Sequence, residues 1–140
     1  MSDELRIAAG IADVRDAIAR IRAVLPASSD AFVADRTARE VVILNLFVAL
    51  QQTLDLASHW LAQGGRSVPS TYRDILLALG EAGLLEQGLA ARLAAAAGLR
   101  NLIAHRYGVL DYARVYAICQ TSLEDLAAFS DRLAKATRER

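Results

Sequence analysis

The residues best suited to chemistry lie together between positions 100 and 107, in the segment RNLIAHRY. Arg100 carries a planar fork of N–H donors that matches phosphate oxygens, and its charge would stabilise the negative charge of a transition state. His105 can take up and release a proton near neutral pH. Together they suffice for metal-independent RNA cleavage, in which a base removes the ribose 2′-OH proton and that oxygen attacks the adjacent phosphorus.

A helical segment would orient these side chains differently. At about 100° per residue, Arg100 and Tyr107 return to nearly the same azimuth, and Asn101 and His105 form an i, i+4 pair on another face. Arg100 and His105 lie about 7.5 Å apart along the axis and differ in azimuth. They could converge on one phosphodiester through the reach of the arginine or through a second copy of the segment, so a dimer would make the site easier to build.

The same residues also have a structural interpretation. A histidine near a helix C-terminus more often caps the helix or interacts with its dipole than catalyses a reaction. An arginine beside an asparagine is ordinary on a helix surface, and Arg106 could bind phosphate or simply face water. Gly98 costs about 1 kcal/mol relative to alanine in a helix, which the close approach of another helix or a ligand backbone would explain.

The composition of the chain is typical of helices: 28 Ala and 21 Leu among 140 residues, with 8 Gly and 2 Pro. Sixteen basic and sixteen acidic residues cancel, so any contact with RNA must be local. A single cysteine, Cys119, excludes an internal disulfide and argues against a structural zinc site. The acidic N-terminus and the short apolar runs predict one soluble cytoplasmic domain over residues 1–140, without a membrane segment.

Apolar spacing and capping residues predict an all-α, up-and-down bundle of about five helices. These are a first helix that stops before Pro26, a long central helix from about Asp30 to Ala62, a short helix capped by Ser70 and broken at Gly80 and Gly83, a helix from about Glu86 to Tyr107 with Gly108 at its C′ position, and a last helix capped by Asp111. The central helix is apolar over a wide arc, so several neighbours must cover it. At roughly 50 Å this helix would be longer than the rest of the bundle, so its first turns should overhang or bend.

The segment RNLIAHRY resembles the signature of the HEPN superfamily, and specifically of its HepT-like toxin branch. Further similarity follows in the same order along the chain. It is carried by RTARE at 36–40, ALQQTLDLASH at 49–59, YRDILLALGEAGLL at 72–85 and DYARVY at 111–116. The resemblance extends over about residues 30–130.

This resemblance implies a homodimeric ribonuclease toxin whose two motif copies face a shared cleft, with no metal and no cofactor. Arg100 and His105 would be the catalytic pair, and Asn101 a supporting group. Tyr107 would be the residue to which a partner nucleotidyltransferase antitoxin attaches AMP from ATP. The added phosphate would compete with RNA for the Arg100 guanidinium and silence the toxin.

A second hypothesis is a non-catalytic helical dimer that serves as a binding or scaffold subunit for a nucleotidyltransferase. The motif would then hold nucleotide or the partner, and tight association without RNA loss is expected. A third, an inert helical adaptor, conflicts with the extent of the ordered similarity.

Other polar residues have structural interpretations that we favour. Asp55 and His59, an i, i+4 pair on the long helix, are expected to hydrogen-bond to each other and fix that helix, rather than to act at the RNA site. Glu40 could orient an arginine across the bundle, but we expect a solvated charge among Arg36 and Arg39.

The aromatic residues and the cysteine are expected to be structural. Trp60, Phe47 and Phe129 occur at core spacing and are not expected to form a base-stacking platform. Tyr112 and Tyr116 are expected to pack across a dimer rather than to contact RNA. Cys119 lies on the apolar stripe of the last helix, together with Val115, Ser122, Leu126, Phe129 and Leu133, and should be a small buried hydrophobe.

Overall fold

The computed structural model describes residues 2–139 and contains only helices and their connections in that range. It has six α-helices and one short 3₁₀ helix: α1 Asp3–Val24, α2 Ser29–Ala34, α3 Arg36–Gln63, α4 Tyr72–Glu81, α5 Gln87–His105, the 3₁₀ turn Tyr107–Val109, and α6 Tyr112–Arg138. The all-α prediction is confirmed. The first helix stops before Pro26, and Asp111 caps the last helix by accepting a hydrogen bond from the Arg114 N–H, both as predicted.

Helix α3 is the centre of the bundle. It contacts each of the other five α-helices, as its wide apolar arc predicted. Its buried side chains include Val42, Ile43, Leu46, Leu50, Leu54 and Leu61. Within residues 2–139, α3 is also the one helix long and apolar enough to cross a membrane, and half of its most apolar window is buried inside the bundle. The core helix of a soluble protein has the same length and composition.

The predicted single helix from Asp30 to Ala62 is divided at Asp35. Asp35 has an extended backbone, and its carboxylate accepts a hydrogen bond from the Ala38 N–H at 3.0 Å, so it ends α2 and caps α3. The division lets α2 turn onto α6 and bury Phe32 completely. The prediction of one continuous helix is therefore wrong, whereas the expected bend in its first turns is confirmed.

The ends of α4 differ slightly from the prediction. The hydroxyl of Thr71, and not that of Ser70, accepts the capping hydrogen bond from the Asp74 N–H. The helix runs through Gly80 to Glu81. A Cβ atom on Gly80 would lie 2.9 Å from the Cβ of Ala90, so this glycine permits the close contact between α4 and α5. Of the two predicted breaks, Gly80 therefore lies inside the helix, whereas Gly83, with a φ of +83°, follows the end of the helix as predicted.

Helix α5 ends at His105, two residues before the predicted end at Tyr107. Arg106 leaves the helical conformation with φ −141° and ψ 40°, and the next N–H groups bond three residues back in a 3₁₀ turn. Gly108 lies inside that turn and has no positive φ, so the prediction that it provides the C′ position is wrong. The chain changes direction here to start α6 at Tyr112. Tyr107 therefore does not continue the helical spacing of Arg100.

The predicted apolar stripe of α6 is buried throughout, and Cys119 lies within it. Burial raises the pKa of the Cys119 thiol to about 11. The thiolate is the reactive form of cysteine, so the folded protein should hold this thiol inert at pH 7.5. We expect no labelling by a disulfide reagent in the folded state and one equivalent after unfolding in guanidinium. Rapid stoichiometric labelling of the folded protein would show that α6 does not seal this position.

Candidate active site

Arg100 lies on the side of α5 that faces α3 and α4, with its side chain half-buried. Its Nε donates a hydrogen bond to Oε1 of Gln51 at 2.5 Å, and its Nη1 donates to Oδ1 of Asn101 at 3.1 Å. The guanidinium carbon is 5.5 Å from the centroid of the Phe47 ring and 5.2 Å from that of Tyr72. Two amide oxygens thus accept hydrogen bonds from the guanidinium of Arg100, and the rings of Phe47 and Tyr72 lie close to it.

These contacts leave part of the guanidinium available. Arginine has five N–H donors, and the two recorded hydrogen bonds use one on Nε and one on Nη1. Both acceptors are neutral amide oxygens, and the aromatic rings are attracted to the cation without neutralising it. The remaining N–H groups of Nη1 and Nη2 form a fork suited to two phosphate oxygens. Arg100 can therefore bind an anion while its own position is fixed.

Asn101 contacts the arginine and not the histidine. The side chain of Asn101 is exposed, and its amide oxygen lies on Arg100, its neighbour in sequence. The structure thus brings together two of the predicted site residues. Asn101 helps to fix the direction of the guanidinium.

His105 is the last residue of α5 and is exposed. Within residues 2–139, no hydrogen bond or ion pair is recorded for its ring. Five residues along an α-helix separate Arg100 and His105 by about 7.5 Å along the axis and by about 140° in azimuth. The two groups therefore lie on one helix of the same chain, but their side chains start from different sides of that helix.

Tyr107 lies in the 3₁₀ turn after α5, and its side chain is 45% exposed. It lines a cavity of about 270 Å³ between α3 and α5, together with Glu40, Leu44, Phe47 and other residues. The prediction that Tyr107 lies on the same helical face as Arg100 is wrong, because α5 ends at His105. The two residues instead share a neighbour, because Phe47 both lines this cavity and lies beneath Arg100.

The charges near this cavity are paired on the surface of α3. Arg36 donates to Glu40 at 2.8 Å, which confirms the predicted surface role of this cluster. The pKa of Arg36 is raised above its ordinary value, first by that hydrogen bond and then by the charge of Glu40. Arg39 donates to the carbonyl of Val33, and its guanidinium lies 4.5 Å from the centroid of the Tyr112 ring.

The predicted hydrogen bond between Asp55 and His59 is wrong. Asp55 accepts a hydrogen bond from Nε2 of Gln51 at 2.9 Å, one turn earlier on α3. Nε2 of His59 lies 3.8 Å from a carboxylate oxygen of Asp3, because α1 brings that residue alongside. An i, i+4 spacing offers Asp55 a neighbour on both sides, and the tertiary structure selects Gln51.

Two predictions about aromatic residues also change. Phe129 is fully buried as expected, whereas Phe47 and Trp60 are half-buried at the edge of the core. Phe47 is left open because Arg100 and the Tyr107 cavity border its ring. Tyr116 makes contacts within its own chain, since its hydroxyl donates to the carbonyl of Pro26 and its ring lies 5.7 Å from that of Phe32, and its packing across a dimer stays a prediction.

Three neighbours of Arg100 were not identified from the sequence as site residues: Gln51, Phe47 and Tyr72. A polar QQ pair at 51–52 in the otherwise apolar middle of α3 was the available signal for Gln51. The described part of the chain has no group of three or more His, Cys, Asp and Glu side chains arranged to hold a metal ion.

Comparisons with known proteins agree on one family. The model of the family "Ribonuclease HepT-like" matches residues 14–133. A chain from the structure of the tri-AMPylated Shewanella oneidensis HEPN toxin in complex with MNT antitoxin is 33% identical, with a TM-score of 0.83, covering 97% of this chain and 99% of that one.

Two further solved structures are similar. One is a toxin–antitoxin complex with AMP-PNP, at 32% identity and a TM-score of 0.83, and another is a mutant MntA–HpeT toxin–antitoxin complex, at 32% identity and a TM-score of 0.82. Each comparison covers 94% of this chain and 98% of the other. No protein with a curated description is similar enough in sequence to match. The family match over most of the chain and the similarity to these structures along nearly its whole length show that this protein belongs to the HepT-like ribonuclease family.

Proposed function

We propose that this protein is the toxin of a toxin–antitoxin pair and that it cleaves RNA without a metal ion, through Arg100 and His105. The observation that carries the proposal is the arrangement of Arg100. Its cation is held by neutral groups with a fork of N–H donors left over, and an exposed histidine lies on the same helix. Membership of the HepT-like ribonuclease family supports the same reaction.

The reaction follows from these two groups. Arg100 binds the non-bridging oxygens of a phosphodiester and stabilises the charge that develops on them. His105 takes the proton of the adjacent ribose 2′-OH, and that oxygen forms a bond to phosphorus as the bond from phosphorus to the 5′-oxygen breaks. The leaving 5′-oxygen takes a proton from water, His105 returns the proton it accepted to solvent, and the other product carries a 2′,3′-cyclic phosphate.

Arg100→Ala and His105→Ala should each lower the rate of RNA cleavage by on the order of 10²-fold or more, because each removes a group that acts in the transition state. Cleavage of a labelled single-stranded RNA in the presence of EDTA measures the effect. Arg66→Ala, a change of an exposed arginine in the loop before α4, is the matched control and should cleave normally. Full activity in both site variants would refute the assignment. Stable binding of a nucleotidyltransferase without RNA loss would favour the scaffold hypothesis.

The proposal includes a homodimer, because one chain directs Arg100 and His105 differently. A face between α5 and α6, on the same side of α5 as His105, is suited to a second copy. It contains a cavity of about 420 Å³ whose walls include Gly98, Leu102 and Val109, and the last two are 44% and 66% exposed. A Cβ atom on Gly98 would meet nothing within 4 Å in the same chain. The glycine thus leaves room for a helix from outside.

Leu102→Glu should convert a dimer to monomers and reduce cleavage, because a carboxylate would be buried against an apolar surface. Light scattering after size-exclusion chromatography measures the mass. Leu5→Glu changes a leucine of similar exposure, 60%, on α1 and should leave the dimer intact. A wild-type monomer, or a Leu102→Glu dimer, would show that this face is not the interface.

We further propose that a partner nucleotidyltransferase modifies Tyr107. The similar Shewanella oneidensis toxin is described as tri-AMPylated, in complex with its MNT antitoxin. The exposed phenol of Tyr107 can attack the α-phosphorus of ATP, with loss of its proton and release of pyrophosphate. The resulting phosphodiester would add negative charge next to Phe47, above which Arg100 lies.

Incubation with the partner and ATP should add the mass of one or more AMP groups and stop RNA cleavage. Tyr107→Phe should prevent the first addition, because the ring then has no nucleophilic oxygen. Tyr112→Phe, which alters a half-buried tyrosine at the start of α6, is the control and should be modified like the wild type. Intact-protein mass spectrometry distinguishes the variants. An unchanged mass gain in Tyr107→Phe would move the modification to another residue.

A further inference from the structure

Two polar residues on α3 form a hydrogen-bonded chain that ends on Arg100. Nε2 of Gln51 donates to Oδ1 of Asp55 at 2.9 Å, and Oε1 of Gln51 accepts from Nε of Arg100. We propose that Gln51 is a positioning residue for Arg100 and that Asp55 fixes the orientation of the Gln51 amide. This role rests on the proposed ribonuclease function and adds to it the residues that orient the phosphate-binding guanidinium of Arg100.

The chemistry of the three groups fixes the direction of the chain. A glutamine amide can present either its oxygen or its NH₂ group after a half-turn, and only the oxygen can accept from an arginine. An ionised aspartate offers acceptors alone, so it holds the NH₂ group of Gln51 on its own side. The oxygen must then face Arg100. Without Asp55, the amide would be free to turn its NH₂ group towards the guanidinium, where two donors would oppose each other.

A neutral acceptor at this position also preserves the charge of Arg100. A carboxylate on Nε would form an ion pair and compete with the phosphate of RNA for the same cation. Gln51 holds Nε without adding charge, and the carboxylate of Asp55 is one side chain further away. With Asn101 on Nη1 and the rings of Phe47 and Tyr72 close to the guanidinium, the open part is the end fork of Nη1 and Nη2.

Packing alone would not require this arrangement. Gln51 is half-buried, and a methionine of similar length could cover the same surface. Gln52 is the matched comparison, because it is also half-buried on α3 but lies towards α1, in a cavity with Arg6 and His59. A role in packing would give Gln51 and Gln52 similar effects, whereas a role in positioning concerns Gln51 alone.

Kinetic measurements separate two kinds of change at Gln51. Gln51→Met should lower kcat by on the order of 10- to 100-fold with little change in KM, because the guanidinium of Arg100 remains charged but is no longer held in its orientation. Gln51→Glu should instead raise KM by about 10-fold, because the new ion pair competes with the substrate phosphate. Gln52→Met should match the wild type in both constants. A Gln51→Met variant that cleaves RNA like the wild type would overturn the proposal.

A spectroscopic measurement tests the positioning without relying on cleavage. In the wild type, the Nε–H resonance of Arg100, assigned with an Arg100→Lys variant, should exchange slowly with water because it is hydrogen-bonded. Gln51→Met should make that exchange fast, and Gln52→Met should not. An unchanged Nε–H exchange rate in Gln51→Met would overturn the proposal even if that variant cleaved RNA slowly. Loss of protection in a protein that cleaves no RNA would instead retain the positioning role and reject the proposed function.

Discussion

The need to cover the apolar surface of α3 organises the whole molecule. This helix is apolar over so wide an arc that a single neighbour cannot shield it, and every other α-helix contacts it. The helices that cover α3 include α2, which can reach α6 only because the helical conformation is interrupted at Asp35, between α2 and α3. They also include α5, which carries the candidate catalytic motif. The position of the motif is therefore a consequence of how the core is buried.

The placement of α5 against α3 determines the surroundings of Arg100. A half-buried cation requires hydrogen-bond partners, and a carboxylate partner would form an ion pair with it and compete with a phosphate. The structure meets both requirements with the amide oxygens of Gln51 and Asn101 and with two aromatic rings. The acidic residues Asp55 and Glu40 of α3 bond to other side chains and not to Arg100: Asp55 bonds to Gln51, and Glu40 bonds to Arg36. The arginine is thereby fixed in place and still positively charged.

The end of α5 separates three roles within eight residues. Arg100 faces the other helices, His105 ends the helix in solvent, and Tyr107 lies in the turn beside the α3 surface. Because the helix stops before Tyr107, the phenol is exposed next to Phe47 and does not continue the helical spacing from Arg100. This arrangement agrees with the proposal that modification of Tyr107 controls access to the cation.

The sequence by itself determined the helical class, the central position of α3, the Asp111 cap and the motif residues, because these follow from spacing and from hydrogen bonds to near neighbours. Even Arg100–Asn101 is a local contact. Only the tertiary structure decided that Gln51 holds Arg100, a pair separated by 49 positions, and that Asp55 bonds to Gln51 rather than to His59. Likewise, Gly108 looked suited to end α5, but the chain had to turn earlier to begin α6. Local spacing offers a residue several partners, and the packing of distant helices selects among them.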